Sequence, residues 1–392
     1  MNFVEYKYKD IGKIRSGKRL KKGYIVSDKK SNNRYIRVRD INNGIIDVNN
    51  VQYISDEAAS YITRYKVSKN DIIISVVGTV GSVASIPNEL DGAFLTENCN
   101  NLLVDEKICL KEYLKYFLLS KDGQAEILSH IVGTTQPKLP IYGIEAFNIK
   151  VPEKECQNKI ITILNTINNK ISLNTQINNN LYEIGKALYQ KYFENEEYTN
   201  NYEIKQLGDV TTNNRNKIDQ TKEYKVLSAV NTGNLVLSDD YFDKQVYSKD
   251  IGKYLNVNKN DFAYNPARIN IGSIGLNTFD FNSCVSPVYV TFSVDKDYID
   301  FFDFYFKSKR FNAEVTLRAS GSVRQALNYS DFGMIEIPYP TKEMIDKFNS
   351  SYKTIKDSIN KNKAKISNLE QIRDTLLPKL MNGEIDLDKI EI

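Results

Sequence analysis

The sequence predicts an α+β chain of two similar mixed α/β domains separated by two long helices packed as an antiparallel coiled coil, a pseudo-twofold tandem repeat. Three observations predict it. Between Cys156 and Phe193 the pattern steps by four and three residues, through Ile160, Leu164, Ile167, Ile171, Asn174, Asn178, Leu181, Gly185, Leu188 and Tyr192. A 4-3 apolar step sustained this far marks a long helix with a coiled-coil seam. Adding 188 to each number gives Phe348, Tyr352, Ile355, Ile359, Asn362, Ile366, Leu369, Arg373, Leu376 and Leu380. Finally, the phrases flanking the first segment return around the second in the same order. At about 1.5 Å per residue each helix is expected to be about 55 Å long. Neither stripe can be buried alone, so each is the other's partner, and the shared Asn174 and Asn362 suit a fixed register. Gly185 and Arg373 depart from the pattern, standing where apolar residues are expected.

The domains implied are 1–155 and 198–343, with helical segments at 156–197 and 344–392. A chain of 392 residues is long enough for two cores of its own. Its 41% hydrophobic and 26% charged residues are ordinary for a globular protein. No apolar run approaches the length of a membrane span, and Met1–Tyr8 is too polar for a signal peptide. Cys99, Cys109, Cys156 and Cys284 lack C-x-x-C spacing and fit a reducing cytoplasm. A net charge of +4 is mild, so any nucleic-acid surface must come from local clustering.

Along the first domain, Tyr8–Gly12 leads into a basic run, Lys13, Arg15, Lys18, Arg19, Lys21 and Lys22. Tyr35–Ile41 alternates like a strand with Arg37 and Arg39 on one face, followed by an Asn42-Asn43-Gly44 turn. After a short helical stretch at Asp56–Tyr65, Lys69-Asn70-Asp71 precedes a buried-strand candidate, Ile72–Val77, and Gly78-Thr79-Val80-Gly81-Ser82 turns into another strand. Residues 110–130 read as one helix, Gly133–Lys138 as a polar loop and Phe147–Pro152 as the last strand before the long helix.

The second domain repeats this order. Tyr202–Asp209 answers the opening, Asn213–Lys217 replaces the basic run, and Lys259-Asn260-Asp261 answers Lys69-Asn70-Asp71. Ile271-Gly272-Ser273 answers Val80-Gly81-Ser82, a helix at 300–313 stands for 110–130, and Gly321–Gln325 answers the Gly133 loop. Ile335–Pro338 matches Ile149–Pro152, and Leu377-Pro378 with Asn382-Gly383 are stop signals for the second long helix. A shared frame with diverging loops is expected where two copies of one scaffold read two different ligands.

Catalytic motifs are wanting. His130 is the only histidine, which excludes His-paired nucleophiles and His-rich metal sites. Gly78–Gly81 lacks the length and Lys-Ser/Thr ending of a P-loop. Asn265-Pro266-Ala267-Arg268 echoes the Asn-Pro-Pro-aromatic tetrapeptide of amino-directed DNA methyltransferases, but lacks the second proline, the aromatic and an upstream G-x-G loop. No carboxylate cluster with a following lysine suggests a metal-dependent nuclease. The expectation is a chain with no catalytic residues, no metal and no cofactor of its own.

Reading DNA needs Lys and Arg for phosphates, and Arg, Asn, Gln, Ser or Thr for base edges. The first domain offers Lys18, Arg19, Lys22, Arg37, Arg39, Thr134, Thr135, Gln136 and Lys138. Its counterpart offers Asn213, Asn214, Arg215, Asn270, Arg318, Ser322, Arg324 and Gln325.

In this order, twice, these phrases resemble the specificity subunit of type I restriction-modification systems. The closing phrase Leu376–Ile385 belongs to the same resemblance. It implies two target-recognition domains, each reading one half of a bipartite site on double-stranded DNA, held apart by the helices. Each half would recruit one methyltransferase subunit, with restriction subunits joining the full complex. S-adenosylmethionine, ATP and Mg would then be bound in the partner subunits. Two other readings compete: a self-sufficient DNA methyltransferase or nuclease, and a protein-only coiled-coil adaptor.

Overall fold

The structure, a computed structural model, describes residues 2–42, 44–195, 202–242, 245–318 and 326–387. It divides into two compact units, Met1–Asn174 with Ala364–Ile392, and Thr175–Lys363.

The first unit is built on a four-stranded antiparallel sheet in the order Gly12–Ser16, Cys99–Val104, Ile72–Ser75, Val83–Ser85. Alternate side chains of a strand point to opposite faces. Ile72 and Ile74 accordingly pack with Tyr113, Leu114 and Phe117, whereas Ile73 packs with Ile36, Ala84 and Leu95. All three isoleucines are fully buried, which explains the unbroken apolar run. Beside this sheet lie a three-stranded one, Gln52–Tyr53, Arg34–Ile36, Phe94–Leu95, and the pair Phe3–Lys7 with Asn148–Pro152.

In the second unit the topology returns. Its main sheet runs Thr211–Asn213, Val290–Val294, Phe262–Tyr264, Ile274–Leu276, and Glu203–Gln206 pairs with Glu336–Tyr339. A side sheet again contains one parallel pairing, Lys225–Val230 with Ser283–Val285, as Arg34–Ile36 pairs with Phe94–Leu95. The core differs in content: Phe262, Phe292, Phe302 and Phe332 fill the space with packed rings.

The repeated Lys-Asn-Asp phrase is a turn with the same construction in both units. Asn70 and Asn260 are the non-glycine residues with positive φ among the described residues, at 63° and 72°. Asparagine tolerates this left-handed region better than most side chains. The Asn70 N–H donates to Ile86 O and the Asn260 N–H to Asn277 O, 2.8 Å each. Each following aspartate is buried and accepts the N–H three residues back, from Ser68 at 3.0 Å and Asn258 at 3.1 Å.

Three local expectations are corrected. Residues 110–130 form two helices, Lys111–Leu119 and Lys121–Ser129, because Ser120 is extended and its Oγ caps the second by accepting the Gly123 N–H at 3.2 Å. The helix expected at 300–313 is likewise Ile299–Tyr305 and Lys309–Arg318, with Ser308 Oγ accepting the Phe311 N–H at 3.2 Å. Serine competes for backbone hydrogen bonds and so favours such caps over helix interiors. The strand expected over Tyr35–Ile41 stops at Ile36. Val38–Asp40 is a 3-10 turn, tied by the Arg37 N–H to Asp40 Oδ2 at 2.8 Å.

The long helices are Lys154–Phe193 and Lys342–Met381, forty residues each. Every seam position expected from the 4-3 step is buried or half-buried, including Ile167, Ile171, Asn174, Leu181, Ile359, Asn362, Ile366 and Leu369. In the first unit Ile160 and Leu164, near the start of one helix, pack with Leu376 and Leu380, near the end of the other. In the second unit Leu188 and Phe193 pack with Phe348, Tyr352 and Ile355. Start against end and end against start is antiparallel pairing. The seam glycine has a reason: a Cβ on Gly185 would sit 2.6 Å from a ring carbon of Tyr352. Pro378 does not stop the second helix, whose last turn is held by buried Leu380 and Met381 and closes at Gly383, φ 73°.

Candidate nucleic-acid interface

Strand register decides which loops share an edge. In the first main sheet Ser16 pairs with Asn100, Cys99 with Ser75, and Ile74 with Val83. One end of the sheet therefore collects the exit of Gly12–Ser16, the approach to Cys99, and the whole Val76–Ser82 loop. Leu139 N–H donates to Val76 O at 2.9 Å, and Lys138 bridges Val77, which brings in the polar loop. That loop is a tight excursion closed by two Val132–Lys138 hydrogen bonds of 2.9 Å, with Gly133 at φ 86°. At the sheet's other end, Leu110 N–H donates to Gln157 Oε1 of the long helix at 2.8 Å. Loops and helix thus occupy opposite ends of one sheet.

On the loop end Lys18, Arg19, Lys22, Arg39, Thr134, Thr135, Gln136 and Lys138 are all exposed. Arg19 keeps a solvent-facing guanidinium whose Nε is 2.6 Å from Glu97 Oε1. Arg37 is different. Its guanidinium donates to Asp40 at 2.9 Å and Asn50 O at 3.0 Å and is bonded to Gln52, so it holds the turn together. Lys21, weighed in the basic run, lies 3.7 Å over the Tyr61 ring.

The second unit gathers its counterparts by the same register. Asn213 and Arg215 are exposed at the exit of Thr211–Asn213, and Asn214 N–H donates to Thr291 O at 2.8 Å. Leu327 N–H donates to Pro266 O at 3.0 Å, as Leu139 does to Val76. Half-buried Asn270 lies in the turn beside exposed Arg268. Arg318, exposed and 3.7 Å from Glu314, ends its helix. Ser322, Arg324 and Gln325 lie outside the described residues.

Residues 1–183 match the family model described as the type I restriction modification DNA specificity domain. The chain is 24% identical over 365 residues to the type I restriction enzyme MjaIX specificity subunit of Methanocaldococcus jannaschii, covering 86% of this chain and 82% of that one. It is 26% identical over 172 residues to the HindI specificity subunit of Haemophilus influenzae, a match spanning 41% of this chain and 36% of that subunit's length. Residues 1–183 belong to the type I restriction-modification DNA specificity family. The fold is similar to that of the S subunit of such a system from M. genitalium, with a TM-score of 0.54 at 17% identity over 97% of this chain and 96% of that one.

Specificity subunits are the non-catalytic members of their enzymes, with catalysis in partner subunits. In this one the residues weighed for chemistry hold structure. Asn265 Oδ1 accepts the Ala267 N–H at 3.0 Å and its carbonyl accepts the Arg268 N–H at 3.0 Å, so the Asn-Pro-Ala-Arg echo is a turn. His130 is 3.2 Å from Glu126 and packs beside Phe147. Among the described residues no group of three or more His, Cys, Asp or Glu could hold a metal, and no helix is long and apolar enough to cross a membrane. The sequence reading passed over Arg268. Its signal was the position of Asn265–Arg268 directly after the strand answering Ile72–Ser75, masked by its likeness to a catalytic phrase.

Proposed function

We propose that this specificity subunit reads a bipartite site on double-stranded DNA, one half with each unit. The observation that carries the proposal is the repeated placement of cationic and amide-bearing loops at the sheet end away from the helix contact. Recognition domains near 1–155 and 198–343 then present Lys18, Lys138 and their neighbours, and Asn213, Arg215 and Arg268, to phosphates and base edges. The antiparallel helices act as a spacer and dock two methyltransferase subunits. A rigid spacer turns two weak half-site contacts into one tight, spacing-sensitive event. S-adenosylmethionine, Mg and ATP are bound by the methyltransferase and restriction subunits, in the cytoplasm, while this chain selects the adenine to be methylated. Differing loops predict half-sites of different sequence.

The test is DNA binding by the complex reconstituted with its methyltransferase subunits, over a salt series. Each phosphate contact contributes a slope of about −0.9 in log affinity against log salt. Lys18→Ala and Lys138→Ala are each expected to flatten the slope by about one unit on any sequence. Affinity independent of salt would instead support a protein-only adaptor.

A further inference from the structure

The mouth of a cleft in the second unit carries exposed apolar side chains among the loops assigned to DNA. The cleft has a volume of about 810 Å³ and is lined by Arg268, Val246, Val288 and Lys253, among others. Val288 is 66% exposed and Val246 55%, and Ile271, in the turn that follows Arg268, is 57% exposed. Isolated exposed aliphatics on a surface need no explanation. Here Val246 and Val288 line a cationic concavity, Ile271 lies on the turn that follows its Arg268, and rigid turns hold Val288 and Ile271 out. Val288 sits in a turn closed by the Tyr289 N–H to Ser286 O at 3.0 Å, and Tyr289 is buried with its Oη accepting the Ala229 N–H at 3.3 Å. Ile271 is fixed between buried Ile269 and Gly272, whose φ is 87°. Among the residues lining the cleft, the two cations Arg268 and Lys253 outnumber the one carboxylate, Asp250, which is turned to the Gly252 N–H at 2.9 Å, so the mouth is net positive.

A cationic rim with preorganised methyl groups matches the major-groove edge of duplex DNA, where the apolar feature is the thymine C5-methyl. We propose that Val288 and Ile271 are specificity-determining residues that read thymine methyl groups in the half-site contacted by the second unit. β-Branched side chains on fixed turns lose little freedom on contact, so the methyl contact is not offset by ordering. The inference rests on the DNA-reading role proposed above.

Replacing thymine by deoxyuridine deletes this methyl and leaves base pairing intact. With the reconstituted complex, a position-by-position substitution across the recognised site is expected to weaken binding about fourfold at one or two thymines of one half-site only. In Val288→Ala and Ile271→Ala that penalty disappears at the matching position. Val288→Thr, which keeps one methyl, retains part of it and controls for a folding defect. No sensitive thymine, a half-site without thymine, or penalties unchanged in both alanine variants would overturn the inference. Salt-dependent binding of the unsubstituted site, measured alongside, reports separately on DNA reading itself.

Discussion

Lys111 Nζ lies 3.0 Å from the carboxylate of Asp71, whereas Asp261, at the same place in the second unit, is in no ion pair among the described residues. One repeated turn is thus balanced in two electrostatic ways. Burial of Asp71 opposes its charge, but the Ser68 N–H, Lys111 and Asn101 outweigh it and hold the carboxyl below its usual range. Asp261 is raised, because burial exceeds what Asn258 returns.

Asp71→Asn is expected to destabilise the first unit by about 1–3 kcal/mol at neutral pH, since it strips a half-buried lysine of its partner. A depressed folded pKa contributes stability that is complete above the unfolded aspartate value of about 3.9 and is lost as pH falls through the folded value. The penalty therefore shrinks on acidification. For raised Asp261 the sign reverses: its contribution is full below the unfolded value and lost as pH rises through the folded one. Asp261→Asn is expected to be neutral or stabilising at pH 7. Hydrogen exchange resolved by unit, at about pH 7 and again well to the acid side of the unfolded aspartate value, at about pH 2.5, checks both, and equal losses from the two variants would contradict this reading.

Restoring the apolar step at the seam glycine should harm the protein. Gly185→Leu completes the pattern on paper, yet its side chain would enter the space of the Tyr352 ring. A loss of about 1–3 kcal/mol is expected from overpacking, with partial recovery in Gly185→Leu, Tyr352→Ala. Thermal melts of the two variants measure it. A more stable Gly185→Leu would show that the helices have room there.

Removing seven residues from each long helix preserves the 4-3 register and shortens each by about 10 Å. If they act as the proposed spacer, the gap between half-sites contracts by about three base pairs at about 3.4 Å per step. Selection from DNA libraries with randomised gap lengths reads this out, and an unchanged optimum would refute the spacer role.

Much of this frame was legible because its signals are periodic or repeated. The seam is carried by side chains at fixed steps, and Lys69–Asp71 recurs as Lys259–Asp261 because both turns place asparagine at positive φ. What escaped was local competition. Ser120 and Ser308 break helices whose apolar faces continue across the break, and Arg37 leaves the strand because Asp40 captures its N–H and guanidinium. Non-local pairing was also hidden. Ser16, Cys99 and Ser75 reach one sheet end through a strand order that no short-range pattern encodes, so Arg268, Ile271 and Val288 became candidates only once register placed their loops.

Mapping methylated adenines genome-wide, with the native chain and with Arg215→Ala, Arg268→Ala, tests the central claim most directly. The expected result is a two-part motif with a fixed gap, relaxed in one half only by the double variant. A single contiguous motif, or equal loss of both halves, would contradict two independent readers on one chain.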